Sequence, residues 1–147
     1  MVDALQAHGH VCQMAWDREP QRDYIERRDC VTLDQSDLDD WPEVTHAITN
    51  PPFLRADAVR ILDAMISWPL TSIVLAPLDW LSNIWFQPYA PHVHHILPIG
   101  RVTWFDKADG SKGYPSTENF CFIWLERQKY EDRDPEADHG RFLIPRV

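Results

Sequence analysis

Cysteine, basic residues and long apolar runs are all scarce in this sequence. Its three cysteines are an odd number at wide spacing, which fits reduced thiols better than a disulfide framework or a zinc ribbon. No apolar run is long enough to cross a bilayer, and residues 1–3 lack the basic and apolar parts of a secretory signal. These absences predict a cytoplasmic protein that has no membrane partner.

The scarcity of basic residues bears on nucleic acid binding. Lys and Arg number 14 against 23 Asp and Glu, which gives a formal charge of -9 at pH 7. A net negative charge opposes non-specific attraction to the phosphates of nucleic acid, so a protein that coats nucleic acid is excluded. The acidic excess is concentrated in residues 1–50, whereas the later part of the chain is nearly neutral.

The apolar content predicts one folded domain. The chain has 147 residues, of which 44% are hydrophobic and seven are tryptophan. This length is close to the commonest domain size, and this composition is enough to fill one core. We therefore predict a single domain over residues 1–147.

Apolar patterning predicts an α/β fold. Short apolar stretches predict strands over 11–15, 44–49 and 72–76, and residues 54–68 have the apolar spacing of an amphipathic helix. A strand, a helix and a second strand in this order predict a parallel βαβ unit. The remaining predictions, in chain order, are a helix over 3–8 ended by Gly9, an acidic surface loop over 34–43, a helix over 80–87, an irregular segment over 88–98, a strand over 100–105, a loop over 106–119, a strand over 120–125, a charged segment over 131–139 and an edge strand over 141–147.

The segment Asn50-Pro51-Pro52-Phe53 carries the most specific chemistry in the sequence. The Asn50 side-chain oxygen and the Pro51 carbonyl can each accept a hydrogen bond from an exocyclic amine. Pro52 fixes the turn, and the Phe53 ring can stack on a planar substrate such as a flipped base. Alternatively, the segment is only a rigid turn whose Phe53 ring fills space. Its position between a strand and a helix favours a ligand site.

With the preceding Ala47-Ile48-Thr49, this segment resembles the active-site signature of S-adenosylmethionine-dependent methyltransferases that act on amino groups, in particular DNA adenine-N6 enzymes. The resemblance extends from the N-terminus to about residue 127. It implies a Rossmann-like methyltransferase sheet with helices on both faces. It also implies catalytic roles for Asn50, Pro51, Pro52 and Phe53.

The same resemblance implies two residues that bind the cofactor S-adenosylmethionine. Asp17, at the end of the first predicted strand, matches the acidic residue that holds the ribose hydroxyls. Asp29 matches the next acidic position, near the adenine ring. Each aspartate alone is also typical of a turn at the end of a strand.

One part of the family's pattern is missing from this sequence. The resemblance implies a first central strand and a glycine-containing cofactor loop before the helix over 3–8, and none of the five glycines follows a strand and opens a helix. We expect the missing strand to be supplied by a protein partner or by a second copy in a homodimer. A shortened enzyme, half of a split enzyme and a degenerate family member all fit this pattern.

Three functions follow from these observations. The leading one is methyl transfer from S-adenosylmethionine to the exocyclic amine of adenine in DNA. The second is a non-catalytic methyltransferase-like protein, a pseudoenzyme that binds a protein partner. The third keeps the chemistry but changes the acceptor to an RNA base or a protein glutamine amide, because both present similar donors.

Two other clusters have simpler interpretations. His92, His94 and His95 have no carboxylate or cysteine pair at ligand spacing, so we predict no metal site. The aromatic residues between Trp80 and Tyr89 could receive a base, but core packing or self-association is favoured.

Overall fold

A computed structural model gives the structure of residues 1–20, 22–33, 35–102 and 117–127. The chain divides into two compact units, the first being Met1–Val44 and the second beginning at Thr45. Residues 103–105 of the predicted strand over 100–105, residues 106–116 of the predicted loop over 106–119, and the predicted segments over 131–139 and 141–147 lie outside the described residues. Each unit is α/β in character, and the larger sheet belongs to the second unit.

The first unit is built from short elements. Its helix α1 ends at a Schellman turn, in which Gly9 donates to the carbonyl of Gln6 and His10 to that of Leu5. Gly9 has a φ of +85°, so the glycine predicted to end this helix has the left-handed conformation that such an end requires. The elements are α1 Val2–Ala7, β1 Trp16–Asp17, β2 Glu26–Arg27, a 3₁₀ helix Cys30–Thr32 and α2 Gln35–Asp39.

The prediction of a buried strand over 11–15 is wrong. Val11 is 80% exposed, and regular pairing begins only where Glu26 donates to the Ala15 carbonyl. Apolar content alone cannot identify a strand, because a strand also needs a neighbouring strand at the right register. The acidic segment over 34–43 was predicted to be a surface loop, but it contains helix α2. Leu38 of this helix is buried.

The second unit confirms the predicted strand-helix-strand order. Strand β3 His46–Thr49 leads into helix α3 Arg55–Ser67 and then into strand β4 Thr71–Pro77. The two strands are parallel, with His46 opposite Thr71. Strands β5 Val93–Gly100 and β6 Phe120–Leu125 complete a mixed four-stranded sheet in the order β3-β4-β6-β5, in which β6 is antiparallel to both neighbours.

Helix α3 and the two central strands form the core of this unit. Helical spacing buries one face of α3, and Pro69 prevents the helix from continuing beyond Trp68. Leu54, the first residue of the predicted amphipathic helix, precedes the first turn of α3 and is 73% exposed. The buried residues of α3, β4 and β6 are Ala58, Ile61, Leu62, Met65, Ser72, Val74, Leu75, Ala76, Pro77, Phe120, Cys121, Ile123 and Leu125.

Residues 78–100, which follow β4, are more regular than predicted. Two 3₁₀ helices, Leu78–Ser82 and Ile84–His92, replace the predicted helix over 80–87, and β5 occupies most of the segment predicted to be irregular. Pro98 belongs to β5, which pairs only with β6 among the described strands. Proline is tolerated there because the outer N–H of an edge strand needs no partner in the sheet.

Cys121 gives the sheet a testable pH dependence. Burial raises the pKa of its thiol to about 11 from an ordinary value of 9.0. The unfolded chain therefore loses this proton at a lower pH than the folded chain. The thiol's contribution to stability is fully present below about pH 9 and is lost as the pH rises through about 11.

We expect the free energy of unfolding to fall less steeply between pH 9 and pH 11 in Cys121→Ala than in the parent chain. The two slopes should differ by at most about 1.4 kcal/mol per pH unit, the value for one proton. Urea unfolding at a series of pH values measures both slopes. Val74→Ala, which truncates a buried residue of the neighbouring strand that carries no ionisable group, is the control and should keep the parent's slope. Identical slopes for the parent and Cys121→Ala would contradict the prediction.

Candidate functional site

The Asn50-Pro51-Pro52-Phe53 segment lies where β3 ends. Two prolines in succession lack the N–H groups that would extend the ladder, so the chain leaves the sheet after Thr49. Pro51 is buried, whereas Asn50 and Pro52 are exposed. The Asn50 side chain is therefore accessible to a ligand at the carboxyl edge of the parallel pair β3 and β4.

Phe120 and Trp80 pack against Phe53 at this edge, and Trp85 packs against Trp80. The Phe53 ring centroid lies 5.3 Å from that of Phe120 and 6.3 Å from that of Trp80. Trp80 in turn lies 5.2 Å from Trp85. We call Phe53, Trp80, Trp85 and Phe120 the aromatic wall. Phe53 keeps 38% of its surface exposed, so the wall presents an accessible ring close in sequence to Asn50.

The strand order explains why these residues meet. Pro77, the last residue of β4, pairs with Phe120, the first residue of β6. The carboxyl end of β4 and the start of the antiparallel β6 therefore share the edge at which β3 ends. The N–H of Leu78 donates to the Asn119 carbonyl at 2.8 Å, which ties the turn after β4 to the start of β6.

Hydrogen bonds to Asp79 stabilise the turn that carries Trp80. Its backbone carbonyl accepts hydrogen bonds from the Ser82 hydroxyl at 2.9 Å and from the Asn83 side-chain amide at 2.8 Å. Its carboxylate accepts two longer bonds, at 3.3 Å, from the same two side chains. These hydrogen bonds stabilise the backbone at Trp80, so its position does not depend on packing of the indole ring alone.

The two predicted cofactor residues, Asp17 and Asp29, belong to the first unit. Strands β1 and β2 are parallel, so Asp17 ends β1 and Asp29 follows the end of its neighbour β2. Asp17 accepts a hydrogen bond from the Glu19 N–H at 2.8 Å, and Asp29 accepts one from the Val31 N–H at 3.2 Å. These bonds are the local turns that isolated aspartates at strand ends are expected to form.

An ion pair connects the two turns. The Arg18 guanidinium lies 3.8 Å from the second carboxylate oxygen of Asp29. Because Arg18 follows Asp17 directly, this pair holds the two strand ends of the first unit near each other. The structure thus brings Asp17 and Asp29 to one edge of the small sheet, while Asn50, Pro51, Pro52 and Phe53 lie in the second unit.

Sequence reasoning missed two residues of these sites. Phe120 was predicted only as the start of a strand, and Arg18 was not singled out. The antiparallel pairing of β6 with β4 brings Phe120 to the wall, and pairing across 40 or more residues leaves no local signal in the sequence. Trp80 and Phe86 are buried as core packing requires, whereas Trp85 is half-buried.

Of the three clustered histidines, His92 ends the second 3₁₀ helix, and His94 and His95 lie near the start of β5. His92 Nδ1 lies 3.1 Å from the Glu126 carbonyl, and His94 Nδ1 lies 4.0 Å from the Glu126 carboxylate. The His94 and His95 rings are 4.2 Å apart. Within the residues that the structure describes, no group of three or more histidine, cysteine, aspartate or glutamate side chains is arranged to hold a metal ion.

Comparisons of this chain with protein-family models, curated proteins and solved structures give no match. In the described ranges, no helix has both the length and the apolar character needed to span a membrane.

Proposed function

We propose that this chain transfers a methyl group from S-adenosylmethionine to an exocyclic amine, and that the amine is N6 of adenine in DNA. The observation that carries the proposal is the exposed Asn50 at the carboxyl end of β3, followed at once by Pro51 and by the half-exposed Phe53 ring. Open α/β sheets bind ligands at this edge of their parallel strands. The Rossmann-like arrangement of the whole sheet, with helices on both faces, is part of the proposal.

Each residue of the motif has a separate task in this chemistry. The two amine hydrogens donate to the Asn50 side-chain oxygen and to the Pro51 carbonyl, which fixes the direction of the nitrogen lone pair. Phe53 stacks on the base and holds its plane. When bound, the cofactor supplies an electrophilic methyl group. Alignment of the lone pair by Asn50 and Pro51 supplies much of the rate as the N–C bond forms and the S–C bond breaks, and the methylated amine then releases one proton to water. No covalent enzyme intermediate is needed.

Two carboxylates of the first unit suit the cofactor's polar groups. Asp17 is exposed, and the Asp29 side chain is 29% exposed, so both retain acceptor capacity for hydroxyl or amine donors. Among the described glycines, Gly9 follows α1 and Gly100 ends β5, so neither lies between a strand and a following helix. We propose that a protein partner, or a second copy of the chain, supplies the remaining contacts to the cofactor.

Calorimetric titration of S-adenosylmethionine into the 147-residue chain tests the cofactor, with a mass measurement of the oligomeric state in the same buffer. Methyl transfer from tritiated cofactor is then measured on adenine-containing DNA at low salt, because the acidic chain weakens DNA binding. Matched RNA and a glutamine-containing peptide are the comparison acceptors.

We expect cofactor binding in the micromolar range and transfer to DNA above both comparison acceptors. Transfer to RNA or peptide alone would contradict DNA as the acceptor but would still support methyl transfer from S-adenosylmethionine. No binding at millimolar cofactor, with or without dimerisation, would contradict methyl transfer and favour the partner-binding protein.

A further inference from the structure

We propose that Leu54 and Arg55, at the start of α3, bind duplex DNA beside the target base. In this arrangement the Leu54 side chain fills the space that the extruded adenine leaves in the base stack, and the Arg55 guanidinium binds a neighbouring phosphate. The inference rests on the proposed function and assigns roles to two residues outside the Asn-Pro-Pro-Phe motif. It concerns how the base becomes accessible rather than the methyl transfer itself.

The first step concerns the exposure of Leu54. Ala58, Ile61 and Leu62 are buried at helical spacing, and the same spacing leads back to residue 54. However, α3 begins only at Arg55, and Leu54 is 73% exposed. A side chain in water adds little to the core, so the stability of the fold does not explain a leucine here. Leucine is one of the apolar side chains that proteins insert between base steps in DNA.

The second step concerns the backbone at Leu54. Its carbonyl accepts a hydrogen bond from the Ala58 N–H at 3.0 Å, which is the first bond of the α3 ladder. Pro51 and Pro52 restrict the chain just before it. The exposed side chain is therefore attached to a backbone that is ordered on both sides. Such order favours insertion into a base stack, because less conformational freedom is lost on binding.

The third step concerns the distance to the motif. Asn50 and Leu54 are four residues apart, so their Cα atoms are separated by at most about 14 Å. An adenine must leave the duplex before an enzyme can reach its amine, and it stays joined to the backbone beside the gap. A residue that fills the gap must therefore lie near the residues that hold the base. Leu54 meets this condition because it follows the motif directly.

The fourth step concerns charge. Residues 54–56 are all exposed, and their one charged side chain is that of Arg55. Within the part of the chain that the structure describes, Arg55 has no ion pair, whereas Arg18 and Arg28 are each paired with an aspartate. An unpaired guanidinium can form a two-point contact with a phosphate. In a chain of formal charge -9, it provides a local positive charge that complements DNA.

The experiment compares methyl transfer to two duplexes that differ only in the partner of the target adenine, which is mapped on DNA that the parent methylates. In the second duplex, cytosine replaces the thymine opposite this adenine, so that extrusion costs less. Leu54→Ala is the test variant, and its exposed position should let it fold. Leu97→Ala is the matched control, because it deletes the same atoms from an exposed leucine on β5, at the other edge of the sheet from β3.

In Leu54→Ala we expect the single-turnover rate at saturating DNA to fall about tenfold on the paired duplex, the order expected when a leucine side chain is no longer removed from water. On the mismatched duplex the rate should fall less than about threefold, because the extruded form stays populated without the leucine. A general structural defect would lower both rates alike. Leu97→Ala should stay within about twofold of the parent on both duplexes.

The phosphate contact has its own measurement, the dependence of DNA affinity on salt concentration. In Arg55→Ala the slope of log affinity against log salt should be shallower by about 0.9, because one phosphate contact is lost. Arg60→Ala removes another exposed arginine from the same helix and should keep the parent's slope.

Other results overturn the inference. If the parent is active and Leu54→Ala keeps its rate on the paired duplex, or loses the same factor on both duplexes, Leu54 does not fill the gap and the proposed function stands. An unchanged salt slope in Arg55→Ala would contradict the phosphate contact. If the parent transfers no methyl group to DNA, the proposed function is wrong, and this inference is wrong with it.

Discussion

Asn50→Ala should lower kcat for methyl transfer by at least about a hundredfold, because it removes one of the two acceptors that hold the amine in its reactive orientation. Asn50 is exposed, and it follows β3 rather than pairing within it. The fold should therefore survive the substitution, and the affinity for S-adenosylmethionine should be unchanged. Single-turnover methyl transfer together with calorimetric titration of the cofactor measures both quantities.

Two further variants sharpen this prediction. Asn50→Asp keeps an acceptor oxygen and should retain more activity than Asn50→Ala. Gln87→Ala removes an exposed side-chain amide outside the site and should leave kcat unchanged. A folded Asn50→Ala variant with the parent's rate would contradict a catalytic role for Asn50, since no other proposed residue replaces its acceptor oxygen.

Leu62→Ala should lower the free energy of unfolding of the chain by about 2–5 kcal/mol. Leu62 lies on the inner face of α3 and has no exposed surface, so its truncation removes apolar contacts and leaves a cavity in a close-packed core. Urea unfolding followed by far-ultraviolet circular dichroism measures the change. The loss should appear as a lower midpoint with an unchanged slope.

Leu54→Ala is the control for this effect, because it deletes the same atoms immediately before the same helix. Leu54 is 73% exposed, and its truncation should change the free energy of unfolding by less than about 0.5 kcal/mol. Equal losses in the two variants would mean that α3 does not pack on the sheet through its predicted face.

The elements that sequence patterning predicted well are those with strong local signals. Helix α3 has apolar residues at helical spacing and a proline just beyond its end, and both of its flanking strands are short apolar stretches. The predicted strand over 120–125 matches β6 residue for residue, because six consecutive apolar residues there have no competing helical pattern.

The elements that were missed depend on long-range contacts. Strand β5 contains two histidines and a proline, so its pattern indicates a loop, and only pairing with β6 makes it a strand. The opposite error occurred at 11–15, where apolar residues precede β1 and are not part of a strand. The predicted helix over 80–87 is divided at Asn83, whose backbone is extended, into two 3₁₀ helices, and Pro88 and Pro91 both lie in the second of them.

The candidate site also has one part that local sequence predicts and one part that depends on long-range contacts. The position of Asn50 at the end of a strand was predictable, because the motif itself stops the ladder. The aromatic wall was not, because Phe120 reaches Phe53 only through the register of β6 on β4. The local turns of Asp17 and Asp29 agree with the ordinary behaviour of aspartate at strand ends, and their role toward the cofactor stays a prediction.

The central position of β6 has a consequence for how this protein is made. Cys121 stands opposite Ala76 in the sheet but is synthesised 45 residues after it. A nascent chain that has emerged only through β4 therefore exposes one edge of a largely apolar strand until β6 is released from the ribosome. Such high contact order slows folding and prolongs exposure of an aggregation-prone edge. Chaperone engagement during translation should accordingly be strongest while the segment between these two strands is being synthesised.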